Sequence, residues 1–300
     1  MDGLSTFRGR RCLVTGAYGF IGAALTRLLS QAEAEIFKPS RVELDVADAV
    51  AVDAYVRKCA PEFVFHLASE GVSRTVPLEK LLRSNVRGAC NLVSALGRLA
   101  LPPRVILLGS GFEYAAKDGL IIETDAVRPF SDYGASKAEA CALVRQEGTS
   151  LPMTWVRLFN VYGPGEPEAR LLPYLVSRAV QGLPIEVTAA EQRRDFTYVD
   201  DVAEGLMRLA LRLPSDASWE IYNLGSGQDI RLRDFIEEAV TALCERGINP
   251  DVRFGAKPYR PGEPMKHLPD LSKLHRHLGW APTTPLANGM RASVAALLRP

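Results

Sequence analysis

Apolar runs and amphipathic stretches alternate along the chain. Runs with the length of buried strands lie at 11–15, 36–37, 62–68, 105–108 and 153–159. Between several of them, apolar residues recur at helical spacing, as from about Leu78 to Leu99. Strands that alternate with helices are typical of βαβ units, so the pattern predicts an α/β fold with a doubly wound parallel sheet of the Rossmann type.

Beyond residue 160 the pattern is interrupted more often by turn residues. The segment 160–165 is rich in turn formers, and short strands then alternate with helices expected at 171–181, about 202–211 and 232–244. We therefore expect a dinucleotide-binding domain from 1–160 plus about 199–225. A smaller, interleaved α/β substrate-binding lobe would comprise about 161–198 plus 226–300.

The composition is that of a soluble globular protein. Of the 300 residues 47% are hydrophobic and 24% charged, and a net charge of +1 gives no basis for nucleic-acid binding. No apolar run reaches the length of about 18 residues that spans a bilayer, and the N-terminus lacks a signal-peptide core, so we expect a cytoplasmic protein without membrane contact. The five widely spaced cysteines form no C-x-x-C pair, which indicates reduced thiols and no metal site.

A glycine-rich turn follows the first apolar run and precedes a helical stretch. Strand, glycine turn and helix in this order are typical of a dinucleotide site, because glycine permits the tight turn and lets backbone N–H groups approach the pyrophosphate. The helix N-terminus adds positive potential. The candidate cofactor residues of this turn are Gly16, Tyr18, Gly19, Phe20, Ile21 and Gly22.

The residues after the second strand bear on the choice of cofactor. An NAD site usually has an acidic residue there that binds the ribose 2′-hydroxyl. Glu33 and Glu35 precede the strand and so lie at the wrong end of it. Lys38 and Arg41 follow it, and two cations suit a 2′-phosphate. The sequence thus favours NADP, with NAD as the alternative, and we expect Asp45 and Val46 at the adenine edge.

Tyr133 and Lys137 are four residues apart, and Ser110 ends an earlier apolar run. Positions i and i+4 share one helix face, so the Lys137 ammonium is expected to stabilise a Tyr133 phenolate and to lower the tyrosine pKa. Ligands bind at the carboxyl ends of strands in such sheets, which is where Ser110 lies. These three residues are candidates for proton and hydride exchange at a carbonyl.

Further motifs are spread over nearly the whole chain. They are HLAS at 66–69, SNVRGACNLV with Asn85, RLFNVYGPG at 157–165, RRDFTYVDDV at 193–202, NLGSG at 223–227, RPGEP at 260–264 and DLSKLHRHLGW at 270–280. In this order, and together with the glycine turn, Ser110, Tyr133 and Lys137, the sequence resembles the extended short-chain dehydrogenase/reductases that act on nucleotide sugars. That group includes epimerases, dehydratases and reductases.

The resemblance implies roles for matching positions. Lys137 would hold the nicotinamide ribose as well as act in catalysis, and Leu67, Ala68 and Asn85 would contact the cofactor. A homodimer through the helices near 78–99 and 132–148 is also implied. The residues expected to bind the nucleotide-linked sugar, the arginines through its phosphates, are Asn160, Arg170, Arg194 and Arg260.

Some residues after Ser110 differ from the family pattern, and these differences argue against two of the family's reactions. Members that remove water between C4 and C6 resemble one another in having carboxylates just after the catalytic hydroxyl residue, at positions held here by Gly111 and Phe112. Glu113 comes one step later and, in an extended segment, would point away from Phe112. Members that epimerise C3 and C5 pair a cysteine with a histidine as acid and base, whereas here Ser110 is followed by Gly111 and Phe112.

The favoured prediction is an enzyme that reduces a 4-keto-6-deoxy sugar at C4. Tyr133 would donate the proton while Ser110 binds the oxygen. The first alternative is a nucleotide-sugar epimerase that keeps NAD tightly bound. A second is a regulator that senses the cofactor without turnover, which the intact Ser110, Tyr133 and Lys137 argue against.

Overall fold

The computed structural model describes residues 4–71, 76–148, 150–214 and 216–299. Its strands are β1 (Arg11–Thr15), β2 (Glu35–Phe37), β3 (Phe63–His66), β4 (Arg104–Ser110), β5 (Leu120–Ile121), β6 (Pro152–Leu158), β7 (Asn160–Tyr162), β8 (Ile185–Glu186), β9 (Arg193–Arg194), β10 (Phe196–Tyr198), β11 (Ser218–Leu224), β12 (Ile230–Arg231), β13 (Val252–Arg253) and β14 (Lys266–Pro269). Its α-helices are α1 (Phe20–Gln31), α2 (Ala49–Cys59), α3 (Leu78–Leu81), α4 (Gly88–Leu96), α5 (Asp132–Glu147), α6 (Leu171–Val180), α7 (Val199–Arg212), α8 (Leu232–Cys244), α9 (Ser272–Leu278) and α10 (Leu286–Leu297).

Six parallel strands form the main sheet, in the order β11-β6-β4-β3-β1-β2. The chain leaves β1 towards β2 on one side and returns to β3 on the other, so the strand order reverses at β1. In such sheets ligands bind outside the carboxyl ends of the strands at this switch point. The predicted doubly wound α/β fold is confirmed.

Both faces of the main sheet are covered by helices, because successive strand residues point to opposite faces. In β3, Phe63 and Phe65 join the core formed with α1 and α7, while Val64 joins the core formed with α2, α4 and α5. This explains why the strands read as continuous apolar runs in the sequence.

Smaller sheets lie outside the main one. A four-stranded sheet has the order β12-β9-β14-β5, and two-stranded sheets pair β10 with β7 and β13 with β8. A third core fills the space between α6, α8 and α10. Strand β5 belongs to the four-stranded sheet although it lies in the predicted dinucleotide domain, and the proposed domain boundaries stay a prediction.

Two local expectations differ from the structure. The helix expected at 78–99 consists of α3, a π-helical segment Leu82–Arg87 and α4, and it ends at Leu96. The segment after Ser110 is a 3-10 turn over Gly111–Glu113, so the condition under which Glu113 would point away from Phe112, an extended chain, is not met. Among the described residues, no helix combines the length and the apolar character required to cross a membrane.

Candidate functional site

The glycine turn after β1 packs its backbone against the loop after β3. Gly16 has a φ of +72°, and a Cβ on it would lie 2.6 Å from the backbone nitrogen of Ala68. A Cβ on Gly22 would lie 2.1 Å from the carbonyl oxygen of Gly16. Gly19 is the N-cap of α1, so the N–H groups of the first helical turn begin here. Gly16 and Gly22 therefore leave no room for a side chain, and the turn has the shape expected of one that binds a pyrophosphate.

A cavity of about 270 Å³ opens beside this turn, at the switch point of the sheet. It is lined by the glycine turn, the loop after β2 and the loop after β3. Residues predicted to bind the cofactor that line it are Gly16, Tyr18, Gly19, Arg41, Asp45, Val46, Leu67 and Ala68. The glycine cradle and the cavity fit a dinucleotide. Predicted residues outside its lining are Phe20, Ile21, Gly22, Lys38, Asn85 and Lys137.

Charged side chains near the cavity are engaged with one another. The Lys38 ammonium lies 5.9 Å from the centroid of the Tyr18 ring. Arg41 Nη1 donates to Glu70 Oε1 at 2.8 Å. Asp45 accepts from the backbone N–H of Ala47 and from Arg83 at 2.5 Å, which together hold the pKa of Asp45 below its usual range. Glu70 and Arg83 escaped the sequence reasoning, because neither lies in the glycine turn or after β2.

Asn85 ties the loop after β3 to α5. Its Oδ1 accepts from the backbone N–H of Glu70 at 2.8 Å, and its Nδ2 donates to Ser136 Oγ at 3.0 Å. The side chain is buried and lies in the π-helical segment, a feature frequent at functional sites. Its observed role is to hold Glu70 next to the cavity, and its predicted contact with the cofactor stays a prediction.

The three candidate catalytic residues lie on adjacent elements. Ser110 ends β4, and Tyr133 and Lys137 lie on the first two turns of α5. A Cβ on Gly134 would lie 2.2 Å from the carbonyl oxygen of Phe112, so glycine lets α5 approach the segment after Ser110. Lys137 Nζ donates to Leu108 O at 2.9 Å and lies 5.9 Å from the centroid of the Tyr133 ring.

The pKa of Tyr133 moves opposite to the sequence-based expectation. Burial of the phenol raises this pKa, the negative charge of Glu113 raises it further, and the positive charge of Arg170 acts in the other direction. Burial also lowers the pKa of Lys137 to about 8, with Glu113 opposing the change. The predicted lowering of the Tyr133 pKa is therefore wrong for this structure: loss of water around the phenol outweighs the neighbouring cations.

Glu113 has its carboxylate enclosed in the protein. Its Oε1 accepts from the backbone N–H of Ser110 at 2.8 Å and from Trp155 Nε1 at 3.0 Å. Its Oε2 accepts from Arg157 Nε at 2.7 Å, and both side chains of this ion pair are buried. Ser110 Oγ accepts from Phe112 N–H at 3.2 Å, which leaves the serine hydroxyl hydrogen free to bond a substrate oxygen.

An aromatic wall of Phe112, Phe159 and His267 lies next to Ser110. The His267 ring centroid is 5.7 Å from that of Phe112 and 4.9 Å from that of Phe159. Burial lowers the pKa of His267 to about 4, so the ring is neutral near pH 7 and its Nε2–H donates to Gly111 O at 3.0 Å. A Cβ on Gly111 would lie 2.7 Å from His267 Cε1. His267 was not found from the sequence, since the pairing of β14 with β5 and β9 brings it here.

Asn160 and Arg170 lie where β7 and α6 begin. Asn160 Nδ2 donates to Asp195 O at 3.1 Å. Arg170 is the N-cap of α6, and it donates from Nη2 to Val161 O at 2.8 Å and from Nε to Glu166 Oε1 at 2.9 Å. Its guanidinium carbon lies 5.7 Å from the centroid of the Phe20 ring, at the start of α1. The structure thus holds Arg170 between the start of α1, after the glycine turn, and β7.

Arg194 and Arg260 differ in how they are held. Arg194 Nη2 donates to Pro264 O at 2.7 Å and lies 3.5 Å from Glu263 Oε1, and burial lowers the pKa of this arginine. Arg260 is exposed, and its backbone N–H donates to Glu263 Oε2 at 3.4 Å. Both arginines therefore adjoin the same carboxylate, on the segment that carries the RPGEP motif.

Two curated proteins match the chain over nearly its full length. It is 27% identical to the dTDP-glucose 4,6-dehydratase of Neisseria gonorrhoeae over 332 residues, covering 95% of this chain and 94% of that protein. It is 28% identical to the dTDP-L-rhamnose 4-epimerase of Burkholderia thailandensis over 347 residues, covering 94% and 93%. These two relatives carry out different reactions.

The fold is also similar to that of solved structures. MoeE5 in complex with UDP-glucuronic acid and NAD has a TM-score of 0.78 and 26% identity, covering 95% of this chain and 97% of that one. The family model described as the NAD dependent epimerase/dehydratase family matches residues 12–225, which hold the glycine turn, Ser110, Tyr133, Lys137 and Arg194. The resemblance drawn from the motifs is confirmed, and the chain belongs to the NAD dependent epimerase/dehydratase family.

Proposed function

We propose that the protein is an NAD(P)-dependent oxidoreductase that reduces a nucleotide-linked 4-keto-6-deoxy sugar at C4. One observation supports this proposal: the described turn after Ser110 has no carboxylate that is free to act as a general acid or base. Gly111 and Phe112 have none, and Glu113 is committed to Arg157, Trp155 and the Ser110 backbone. Without such an acid the site suits hydride and proton exchange at one carbon rather than removal of water.

The catalytic residues suit the reductive direction. A bound nicotinamide cofactor would supply the hydride to C4. Tyr133 would then donate its proton to the oxygen on C4, and Ser110 would hydrogen-bond that oxygen as negative charge develops. A phenol whose pKa is raised by burial stays protonated at neutral pH and is ready to donate. Lys137 would bind the nicotinamide ribose, one helical turn along α5.

The aromatic wall supports a 6-deoxy sugar. Phe112 and Phe159, which pack on the buried and neutral His267, present apolar surface beside Ser110. A methyl group at C5 gains from burial against such a surface, whereas a carboxylate or hydroxyl there would lose hydration without a partner. The residues that would bind the rest of the substrate, with the arginines on its phosphates, are Asn160, Arg170, Arg194 and Arg260.

We assign NADP as the cofactor, with NAD as the alternative. Arg41 lines the cavity, and no carboxylate stands between Lys38 and Arg41 to bind a ribose 2′-hydroxyl. The division into a dinucleotide-binding domain and a substrate lobe, a cytoplasmic location and a homodimer through 78–99 and 132–148 belong to the same proposal.

Epimerisation at C4 is the second candidate, favoured by the likeness to a dTDP-L-rhamnose 4-epimerase. The same Ser110, Tyr133 and Lys137 would first remove a proton and later return it. A tightly held NAD would replace a dissociable NADPH.

The two candidates are separated by incubating purified protein with NADPH and dTDP- or UDP-linked 4-keto-6-deoxy sugars. A reductase oxidises NADPH in proportion to the sugar consumed, which the cofactor absorbance reports. Tyr133→Phe, which keeps the ring and removes the proton, serves as the control and should abolish the change. No NADPH oxidation with any such sugar, together with NAD that copurifies, would reject reduction in favour of epimerisation.

A further inference from the structure

Arg41 and Glu70 form an ion pair across the cofactor cavity. Arg41 belongs to the loop after β2 and Glu70 to the loop after β3, and these strands lie on opposite sides of β1. Since neighbouring strands are about 4.8 Å apart, the two side chains together bridge a gap of roughly 10 Å. The pair therefore crosses the crevice in which the fold binds its dinucleotide.

The two partners are held differently. The backbone N–H of Glu70 is fixed by the buried Asn85, which also bonds Ser136 on α5. Lys80 adds a second cation, 3.4 Å from Glu70 Oε2. The Glu70 side chain is 13% exposed, whereas that of Arg41 is 62% exposed. Arg41 can thus be drawn to another anion, while Glu70 stays in place.

We propose that Glu70 is a specificity-determining residue that sets the preference between NADP and NAD by competing with the 2′-phosphate for Arg41. This inference rests on the proposed contact between Arg41 and that phosphate. When NADP binds, the Arg41 guanidinium exchanges the Glu70 carboxylate for the phosphate. NAD lacks the 2′-phosphate, so when it binds the ion pair between Arg41 and Glu70 stays closed.

Charge arithmetic gives the direction of the effect. Neutralising Glu70 leaves Arg41 and Lys80 without the carboxylate that now pairs with them. The local potential becomes more positive, and Arg41 no longer has to give up a partner to bind phosphate. Affinity for NADPH should rise, and affinity for NADH, which differs only by the missing 2′-phosphate, should change little.

The test is a set of dissociation constants for NADPH and NADH, measured by fluorescence titration of the full-length protein. The variants are Glu70→Gln, Arg41→Met and the double variant, and Glu79→Gln is a matched control on the exposed start of α3. We expect Glu70→Gln to tighten NADPH by about twofold to fivefold relative to NADH, the range for a partly exposed ion pair. In the Arg41→Met background the same substitution should have no more effect than Glu79→Gln.

Equal changes for both cofactors, no change beyond that of Glu79→Gln, or an effect that persists in the Arg41→Met background would each overturn the proposal. Binding needs no sugar substrate and no turnover, so the outcome is independent of the reductase assignment. A wild-type protein that binds NADH more tightly than NADPH would refute NADP as the cofactor. The change in the ratio of the two dissociation constants on Glu70→Gln would still test this inference.

Discussion

Glu113 and Arg157 form a buried ion pair, with Oε2 and Nε 2.7 Å apart, directly beneath the backbone of Ser110. Because a buried charge left without its partner is costly, Glu113→Gln should lower the free energy of unfolding by about 3–5 kcal/mol. Denaturant unfolding measures this change. The exposed pair of Glu245 and Arg291 is the matched control, and Glu245→Gln should have little effect. Equal small effects at both sites would show that the buried pair does not support the serine segment.

Gly111 is required by the position of His267. A Cβ at residue 111 would lie 2.7 Å from His267 Cε1, so Gly111→Ala should cost about 1–3 kcal/mol of stability and reduce turnover by displacing Ser110. Gly119→Ala is the control, because its nearest neighbour would be 3.9 Å away. His267→Ala should relieve part of the Gly111→Ala defect in the double variant. A fully additive double variant would argue against the contact.

Burial of Lys137 predicts a pH-dependent difference in stability. Its pKa is lowered from 10.5 to about 8, so between these values the unfolded chain binds more protons and stability rises with pH. In Lys137→Met this contribution is absent. The free energy of unfolding of wild type should therefore rise by about 3 kcal/mol relative to that of the variant between pH 8 and pH 10.5. Below pH 8 the difference between the two proteins should not change with pH. Loss of the bond to Leu108 O adds a constant offset. A difference that does not vary with pH would contradict the assignment.

Arg194 should affect substrate binding more than cofactor binding. Its guanidinium lies beside Glu263 and Pro264, and Arg194 does not line the cavity beside the glycine turn. Arg194→Met should raise KM by about tenfold or more and leave the dissociation constant of NADPH unchanged. Arg193→Met, at the neighbouring exposed residue paired with Asp229, is the control and should change neither. An unaltered KM would exclude Arg194 from the phosphate site.

The features that followed from the sequence are those encoded locally. The strand, glycine turn and helix around Gly16 are adjacent in the chain, and the spacing of Tyr133 and Lys137 is a property of a single helix. The 3-10 turn after Ser110 also had a local signal, which the sequence-based interpretation missed: Ser110 and Glu113 match the S-x-x-E capping pattern, and in the structure they form a capping box.

The features that escaped depend on contacts between distant segments. His267 is 156 residues from Gly111 in the chain and reaches it through the pairing of β14 with β5 and β9. Glu70 follows β3 and Arg41 follows β2, and the two residues meet because these strands are placed on either side of β1 in the sheet. The pKa of Tyr133 was assigned the wrong direction because helical spacing gives the distance to Lys137 but not the burial of the phenol or the charge of Glu113.

Reduction at C4 by transfer of hydride from cofactor to sugar is the central claim, and isotopic labelling tests it most directly. The protein is incubated with NADPH deuterated at the transferring position and a nucleotide-linked 4-keto-6-deoxy sugar, and the product is examined by mass spectrometry and NMR. The account predicts one deuterium at C4 for each NADPH oxidised, and none with Tyr133→Phe. No deuterium at C4 and no net oxidation of NADPH, with the 4-keto sugar recovered unreduced, would contradict it.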